Sequence, residues 1–520
     1  MQLLQDSRLK RYLENMEYKN FKERDLMKQL VTFLNSPNDA RVMMLYGLRR
    51  TGKLTMMLQA IDNHIGIDNV LYIRCKPYDK IEDISEVIFS SEKKYIFLDE
   101  VTRVPNFISL SSAISDEAAF SGHKIVMAGT DSLGFMYAKR DELFDRTHEI
   151  HTTYISFAEY NRLTGKNLFE YMKYGGTLSP ENYFYNDDNL NEYTNRAIVQ
   201  NIMHTLKYWK DGDNDCFLYP AVKEEDILSL VNYYLRENSK LFIAERLKKF
   251  KASEYLLSAQ MFESKMRRIK KHPEIYGNEY IPNPEPLYNE ELANELQKNL
   301  MIEDDYPFEI DNTLLSRIRD MLLKLDVLTY VKETKQYYFT QPGMRYCHIR
   351  TAIDTLCDNK GIREKYSQKD IDIISDKIIQ DIEGRLIEEI IFLNLKKHYA
   401  DNDNIEVSSF SNINGEYDIT VSGRESKKSC VFEVKRSAEK VAVQKRYLTS
   451  KVMADSYEDD TGYKIVGRAV IYSGDTGVDE EGFTYLNSST FLVDTDEILK
   501  KAFPAFGDMI KKEETFGKSI

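Results

Sequence analysis

The chain has 520 residues, with 71 Lys+Arg against 84 Asp+Glu and a formal net charge of −13 at pH 7. That balance excludes indiscriminate binding to nucleic acid through global charge and leaves only local basic patches for it. Hydrophobic residues at 42%, with only 23 Gly and 12 Pro, exclude bulk disorder, and the length suggests three or four domains at ~150 residues each.

In chain order, Val42–Tyr46, Val70–Cys75, Tyr95–Leu98 and Ile125–Ala128 are short apolar runs, each followed by a helical or polar stretch. Continuous apolar runs of this length predict strands buried on both faces of a parallel sheet. From about Phe157 the texture becomes helical, as in Asp226–Leu235 and Lys240–Lys251, and the acidic stretch Pro273–Pro286 reads as a linker. Asn312–Leu325 predicts a helix, and Leu328–Val331 with Tyr337–Thr340 a hairpin, the order found in a winged helix. The last ~140 residues return to α/β texture, with a helix at Ile378–Tyr399, paired strands Tyr417–Val421 and Cys430–Lys435, and a strand at Ala469–Tyr472.

The five cysteines are scattered and form no CxxC, which argues against a disulfide framework or a Cys-rich zinc site and fits a reducing cytosol. No apolar h-region opens the chain and no uncharged run nears ~18 residues, so a cytoplasmic protein with no membrane partner is expected. The histidines show no metal-binding spacing.

Gly47-Leu48-Arg49-Arg50-Thr51-Gly52-Lys53 has the GxxxxGK spacing between a strand and a helix. Glycines there let backbone N–H groups wrap phosphate oxygens at a helix N-terminus, while Lys53 reaches the β/γ-phosphates. Gly47, Arg50, Thr51, Gly52, Lys53, Leu54 and Thr55 are thus the candidate ATP contacts. Leu54 stands where a Ser or Thr hydroxyl normally ligates Mg²⁺, and Thr55 is rotated by ~100° from that position. ATP binding is therefore expected, and Mg²⁺-dependent hydrolysis is the open half of the expectation.

Tyr95–Leu98 ends in Asp99-Glu100, which places two carboxylates at the carboxyl end of a buried strand. Asp99 is the candidate Mg²⁺ ligand, and Glu100 the group that orients or deprotonates the attacking water. Thr130 could contact the γ-phosphate, although a plain turn has the same pattern. Arg146 is the candidate arginine finger, with an ordinary surface arginine as its alternative.

These segments, together with Ile155-Ser156-Phe157-Ala158-Glu159-Tyr160 and Lys173-Tyr174-Gly175-Gly176, resemble a group of prokaryotic AAA+-type ATPases. Members carry a paired arginine in the phosphate loop and a Pro-Leu-Ser-Phe-like turn after the ATPase core. Leu54 and Tyr154-Ile155 depart from that pattern.

Toward the C-terminus, alternation puts Asp418 opposite Tyr417, Ile419 and Val421, and puts Glu433 and Lys435 on one face. If the two strands pair, these three converge, with Glu388 from the preceding helix as a third acid. Two or three acids with a lysine suit Mg²⁺-assisted phosphodiester hydrolysis. The set resembles the restriction-endonuclease-like, or PD-(D/E)XK, fold, which the same ATPase family carries at its C-terminus.

Lys240–Lys271 holds ten Lys/Arg against three acids, interleaved with Phe242, Phe250 and Tyr255, and Arg424–Arg446 is also basic. Either stretch could meet DNA or RNA, or be a solvated helix face. The expected architecture is therefore multidomain α/β: a P-loop ATPase core (1–160), a helical region (161–295), a winged helix (296–350) and a PD-(D/E)XK-like domain (351–520). The expected function is an ATPase coupled to a nuclease-like domain acting on DNA or RNA, with a homo-oligomer as its setting. The alternative is a nucleotide-sensing regulator or scaffold with weak hydrolysis and an inactive nuclease-like domain.

Overall fold

Val42–Tyr46 (β2), Val70–Arg74 (β3), Tyr95–Asp99 (β4) and Lys124–Gly129 (β5) are strands buried along nearly their whole length. They form because each is a run of β-branched, aromatic and long apolar side chains covered by helices on both faces. The structure, a computed structural model, describes residues 1–37, 40–178, 190–208, 223–248, 267, 270–271, 312–365 and 367–509. Gln2–Leu4 (β1) and Thr147–His151 (β6), which the apolar-run criterion misses, complete a six-stranded sheet in the order β1-β3-β4-β5-β2-β6. β1 is antiparallel to β3 and the remaining neighbours are parallel. β6 reads as polar because four of its five residues are only half-buried at the sheet edge.

Helices Asp6–Glu14 (α1), Met27–Asn35 (α2), Lys53–Gln59 (α3), Ile81–Phe89 (α4), Phe107–Ser121 (α5) and Ser132–Asp141 (α6) connect these strands. Ser156 caps Phe157–Thr164 (α7) by accepting from the Glu159 N–H, and Gly165 ends that helix at φ +74°. The core under the sheet is built from Leu9, Leu30, Met43, Leu45, Met57, Tyr72 and Phe97 among others.

The described chain divides into two compact units. The first takes Met1–Tyr234 and Glu309–Met344, and the second Leu235–Phe308 and Arg345–Ile520. The first therefore includes the helix Asn312–Lys324 and the antiparallel pair Leu328–Val331 (β7) and Gln336–Phe339 (β8), matching the expected helix-then-hairpin order. Asp226–Leu235 and Lys240–Lys251 do not form separate helices. One helix, Glu224–Lys248, runs through both, because nothing between them breaks it. Phe250, Tyr255, most of the basic stretch after Lys248, and Pro273–Pro286 lie outside the described residues.

The second unit is built on the sheet β13-β14-β12-β11-β10-β9. Its strands are Ile405–Asn412 (β9), Gly415–Gly423 (β10), Lys428–Lys435 (β11), Lys464–Tyr472 (β12), Gly477–Val478 (β13) and Thr484–Asn487 (β14). β9, β10 and β11 pair antiparallel, while β12 runs parallel to both β11 and β14. The helix Gln368–His398 contacts β11 and starts ten residues earlier than its apolar period suggested. Among the described residues no helix is long and apolar enough to cross a membrane.

Candidate functional sites: a phosphate loop and a carboxylate–lysine cluster

In the first unit the loop Gly47–Gly52 leaves the carboxyl end of β2 and enters α3 at Lys53. Gly47 adopts φ +144°, and a Cβ there would lie 2.4 Å from Thr152 Oγ1, so only glycine fits. Gly52 (φ +92°) and Arg50 (φ +65°) are also left-handed, the backbone a tight anion loop requires. Lys53 is buried, and its Nζ donates to the carbonyls of Gly47 and Leu48 at 2.7 Å each. Burial pulls the Lys53 ammonium down to about 8, while the charges of Glu100 and Asp99 push it back up.

Asp99 ends β4, where burial and the neighbouring Glu100 push its carboxyl up to about 6. The Tyr72 hydroxyl donates to Asp99 Oδ2 at 2.8 Å. Glu100 sits at φ +57°, a strained backbone at a functional position, and accepts from Thr130 Oγ1 at 3.1 Å. The structure therefore brings Lys53, Asp99, Glu100 and Thr130 to the same edge of the sheet.

Three candidates stand elsewhere. Leu54 turns to the hydrophobic core, and Thr55 is half-buried on the same helix. Arg146 precedes β6, whose Thr147 pairs with Val42, so it lies at the opposite end of the strands from the loop. There Arg146 pairs with Asp116 of α5 at 2.7 Å. In its own subunit it cannot reach the loop, so a finger role requires a neighbouring copy.

A cavity of about 190 Å³ opens beside Thr130, lined by Arg49, Arg103, Arg196, Asn201 and His204 among others. Asn201 donates to Thr130 O at 2.7 Å, and His204 Nδ1 lies 2.6 Å from Asp131. Sequence reasoning missed Arg103, Arg196, Asn201 and His204. The spacing of 196, 200, 201 and 204 on one helical face was the available signal.

In the second unit, β10 and β11 pair from Gly423↔Lys428 to Ile419↔Phe432. Beyond that the Asp418 side chain replaces the ladder, accepting the Val434 N–H at 2.7 Å. Lys435 Nζ lies 2.8 Å from Glu433 and 3.5 Å from Asp418. Glu388 pairs with Arg385 one turn earlier on its helix. Burial, then the charge of Asp418, pushes both Glu388 and Glu433 up to about 8. Lys435 is raised by Asp418 and Glu433 against the effect of its own burial.

A cavity of about 210 Å³ is lined by Asp381, Arg385, Glu388, Asp418, Lys435 and Arg436 among others. Asp381, Arg385 and Glu388 follow an i, i+4, i+7 spacing on one helix face. Arg436, which sequence reading overlooked although it follows Lys435 directly, is anchored by Glu383 at 2.8 Å.

Among the described residues no three His, Cys, Asp or Glu side chains are set to hold a metal ion. Mg²⁺ asks less, since one or two carboxylates suffice when water and phosphate complete its shell. Glu433 Oε1 is buried and receives no hydrogen bond from a donor, and Asp418 is close enough to raise its carboxyl. Asp418 and Glu433 thus fit Mg²⁺ as a pair.

No curated protein matches the chain. Solved structures similar to it include a Walker-type ATPase of Pyrococcus abyssi, at 12% identity and TM-score 0.27 over 63% of this chain and 95% of that one. The Aeropyrum pernix ORC2 protein, in ADPNP–ADP complexes, is similar at 11% and 0.28 over 64% and 92%. The Thermotoga maritima RuvB branch-migration motor is similar at 12% and 0.24 over 61% and 92%. TM-scores this low carry no argument about activity. A family model described as an AAA domain matches residues 39–161, the segment that holds the phosphate loop, Asp99, Glu100 and Thr130.

Proposed function

We propose that the chain is an AAA-type ATPase whose C-terminal sheet domain is nuclease-like and acts on DNA or RNA. The observation that carries the ATPase half is Lys53: a buried ammonium held by loop carbonyls, beside two carboxylates, at a helix N-terminus. The ATP phosphates would lie along the loop, with Lys53 moving from Gly47 O and Leu48 O to phosphate oxygen. Asp99 would hold Mg²⁺ through a water or directly, and Glu100, oriented by Thr130, would accept the proton of the attacking water.

In the second unit Asp418 and Glu433 would hold Mg²⁺, which supplies Lewis acidity toward a phosphodiester. Lys435 and Arg436 present cations to the nucleic-acid backbone, and Arg385 keeps Glu388 in place. Incubating single- and double-stranded DNA and RNA with the protein, ATP and Mg²⁺ tests this half. Cleavage lost in Glu433→Gln supports it, and intact substrates under every condition remove it.

A nucleotide-sensing scaffold is favoured by one observation, that Leu54 faces the core and offers no ligand to Mg²⁺. Tight ATP binding with negligible turnover would select that reading.

A further inference from the structure

A loop that wraps phosphate with its N–H groups must turn its carbonyls outward, and each outward carbonyl needs a donor. Every carbonyl from Gly47 to Gly52 has one. Lys53 Nζ serves Gly47 and Leu48, and the Tyr193 hydroxyl reaches Arg49 O at 3.2 Å. The Leu178 N–H serves Arg50 at 2.9 Å, and the Met56 N–H serves Gly52 at 2.9 Å. The remaining carbonyl, of Thr51, accepts from Arg24 Nη1.

Arg24 is 4% exposed and lies before α2, outside the 39–161 segment. Its fork reaches several elements at once. Nε and Nη2 hold the two oxygens of Glu159 on α7 at 2.7 and 3.0 Å. Nη1 also serves Thr152 O at 3.2 Å, and Nη2 serves Tyr154 O at 3.1 Å. Glu159 is fixed in turn by the Asp25 N–H at 2.8 Å. The same strand end grips the loop directly, since Thr153 Oγ1 accepts the Leu48 N–H at 3.1 Å and Thr51 Oγ1 lies 2.6 Å from Thr152 Oγ1. Gln59 of α3 donates to Phe21 O at 2.7 Å, tying the helix after the loop to the segment that carries Arg24.

We propose that Arg24, backed by Glu159, is a positioning residue of the nucleotide site, setting the Thr51 carbonyl outward so that the loop is preformed for phosphate. Only a guanidinium has donors enough for this, as a lysine cannot serve Glu159, Thr51, Thr152 and Tyr154 together. The inference rests on the ATP reading above, but its consequence for the loop exists without nucleotide.

The test is amide hydrogen exchange over residues 47–53 of the nucleotide-free full chain, alongside calorimetric titration with ATP. Arg24→Lys keeps the charge beside Glu159, so it decides even if Arg24→Met fails to fold. Arg162→Ala, which removes an exposed ion pair to Asp25 in the same segment, is the control. Exchange over 47–53 is expected to rise about tenfold in Arg24→Lys and ATP affinity to fall about tenfold, with Arg162→Ala like wild type. Wild-type exchange in Arg24→Lys overturns the proposal, and so does a rise spread evenly over the whole first unit. If wild type binds no ATP, the nucleotide reading fails by itself, and the exchange result still decides the role of Arg24.

Discussion

Lys53 and Lys435 are both lysines at the carboxyl edge of a buried strand, yet their surroundings push them in opposite directions. Lys53 is lowered by burial and by the charges of Arg49 and Arg24, against Glu100 and Asp99, and its hydrogen bonds go to neutral carbonyls. Lys435 is raised by the acids it touches, and those acids outnumber it. The first pocket sets Lys53, Arg49 and Arg24 against Asp99 and Glu100 and suits an anion. The second carries surplus carboxylate, held partly protonated by burial, and suits a cation.

Removing Lys53 is the largest break in that comparison. Lys53→Met should weaken ATP binding about 100-fold, the worth of a buried charge-assisted contact to phosphate, and abolish turnover. It should also lower the melting temperature of the nucleotide-free protein by a few degrees, because the Gly47 carbonyl loses its donor, an effect offset in part by removal of a buried charge. A titration with ATP and a thermal melt read both signs. Unchanged affinity would mean that the loop does not hold phosphate.

Next comes the surplus acid. Burial and the charge of Asp418 hold the Glu388 and Glu433 carboxyls well above the ordinary value near 4.5. A raised acid contributes stability that is present below its unfolded value and lost as pH rises through its folded value. The metal-free protein should therefore melt lower at pH 9 than at pH 6, by about 5 °C for a unit of this size. Glu433→Gln should flatten that slope, and Mg²⁺ should raise the melting temperature most at high pH, where the acids are ionised. A flat profile in wild type would show that the carboxylates are solvated.

How much of this was legible in the sequence differs between the two sites. The loop, Asp99 and the strands β2 to β5 follow from local spacing and continuous apolar runs, signals that need no long-range partner. Asp418, Glu433 and Lys435 were legible from period-two alternation, and the strands pair as that requires. What alternation could not give is the end of the ladder at Ile419, where the Asp418 side chain takes the Val434 amide. Arg24 was invisible because its partners Thr51, Thr152, Tyr154 and Glu159 are distant in sequence, and a lone arginine among charged residues carries no pattern. β1 and β6 were missed because edge strands are short or polar, which is how sheets protect their edges.

Leu54 tests whether the anion site can also use a cation. Leu54→Thr removes apolar contact with the core at a half-buried position, costing about 1 kcal/mol, and supplies a hydroxyl at the helix start. Mg²⁺-dependent turnover should rise several-fold while the melting temperature falls by a few degrees. Lower stability with no gain in turnover would mean that Asp99 and water already suffice for the metal.

The smallest effect separates the two carboxylate environments. Asp99 is raised to about 6 by burial and Glu100, but its hydrogen bond from Tyr72 works against that rise. Tyr72→Phe removes the bond at little cost in volume, so the Asp99 value should climb further. Because the ionised form is the one that serves Mg²⁺, turnover should fall below about pH 6 in wild type and at a higher pH in Tyr72→Phe. The loss of one neutral donor predicts about a two-fold deficit at pH 6 and almost none at pH 8. A deficit equal at both pH values would instead mean that Tyr72 acts through packing in β3. The acid limb of the ATPase profile would then be set by a group other than Asp99.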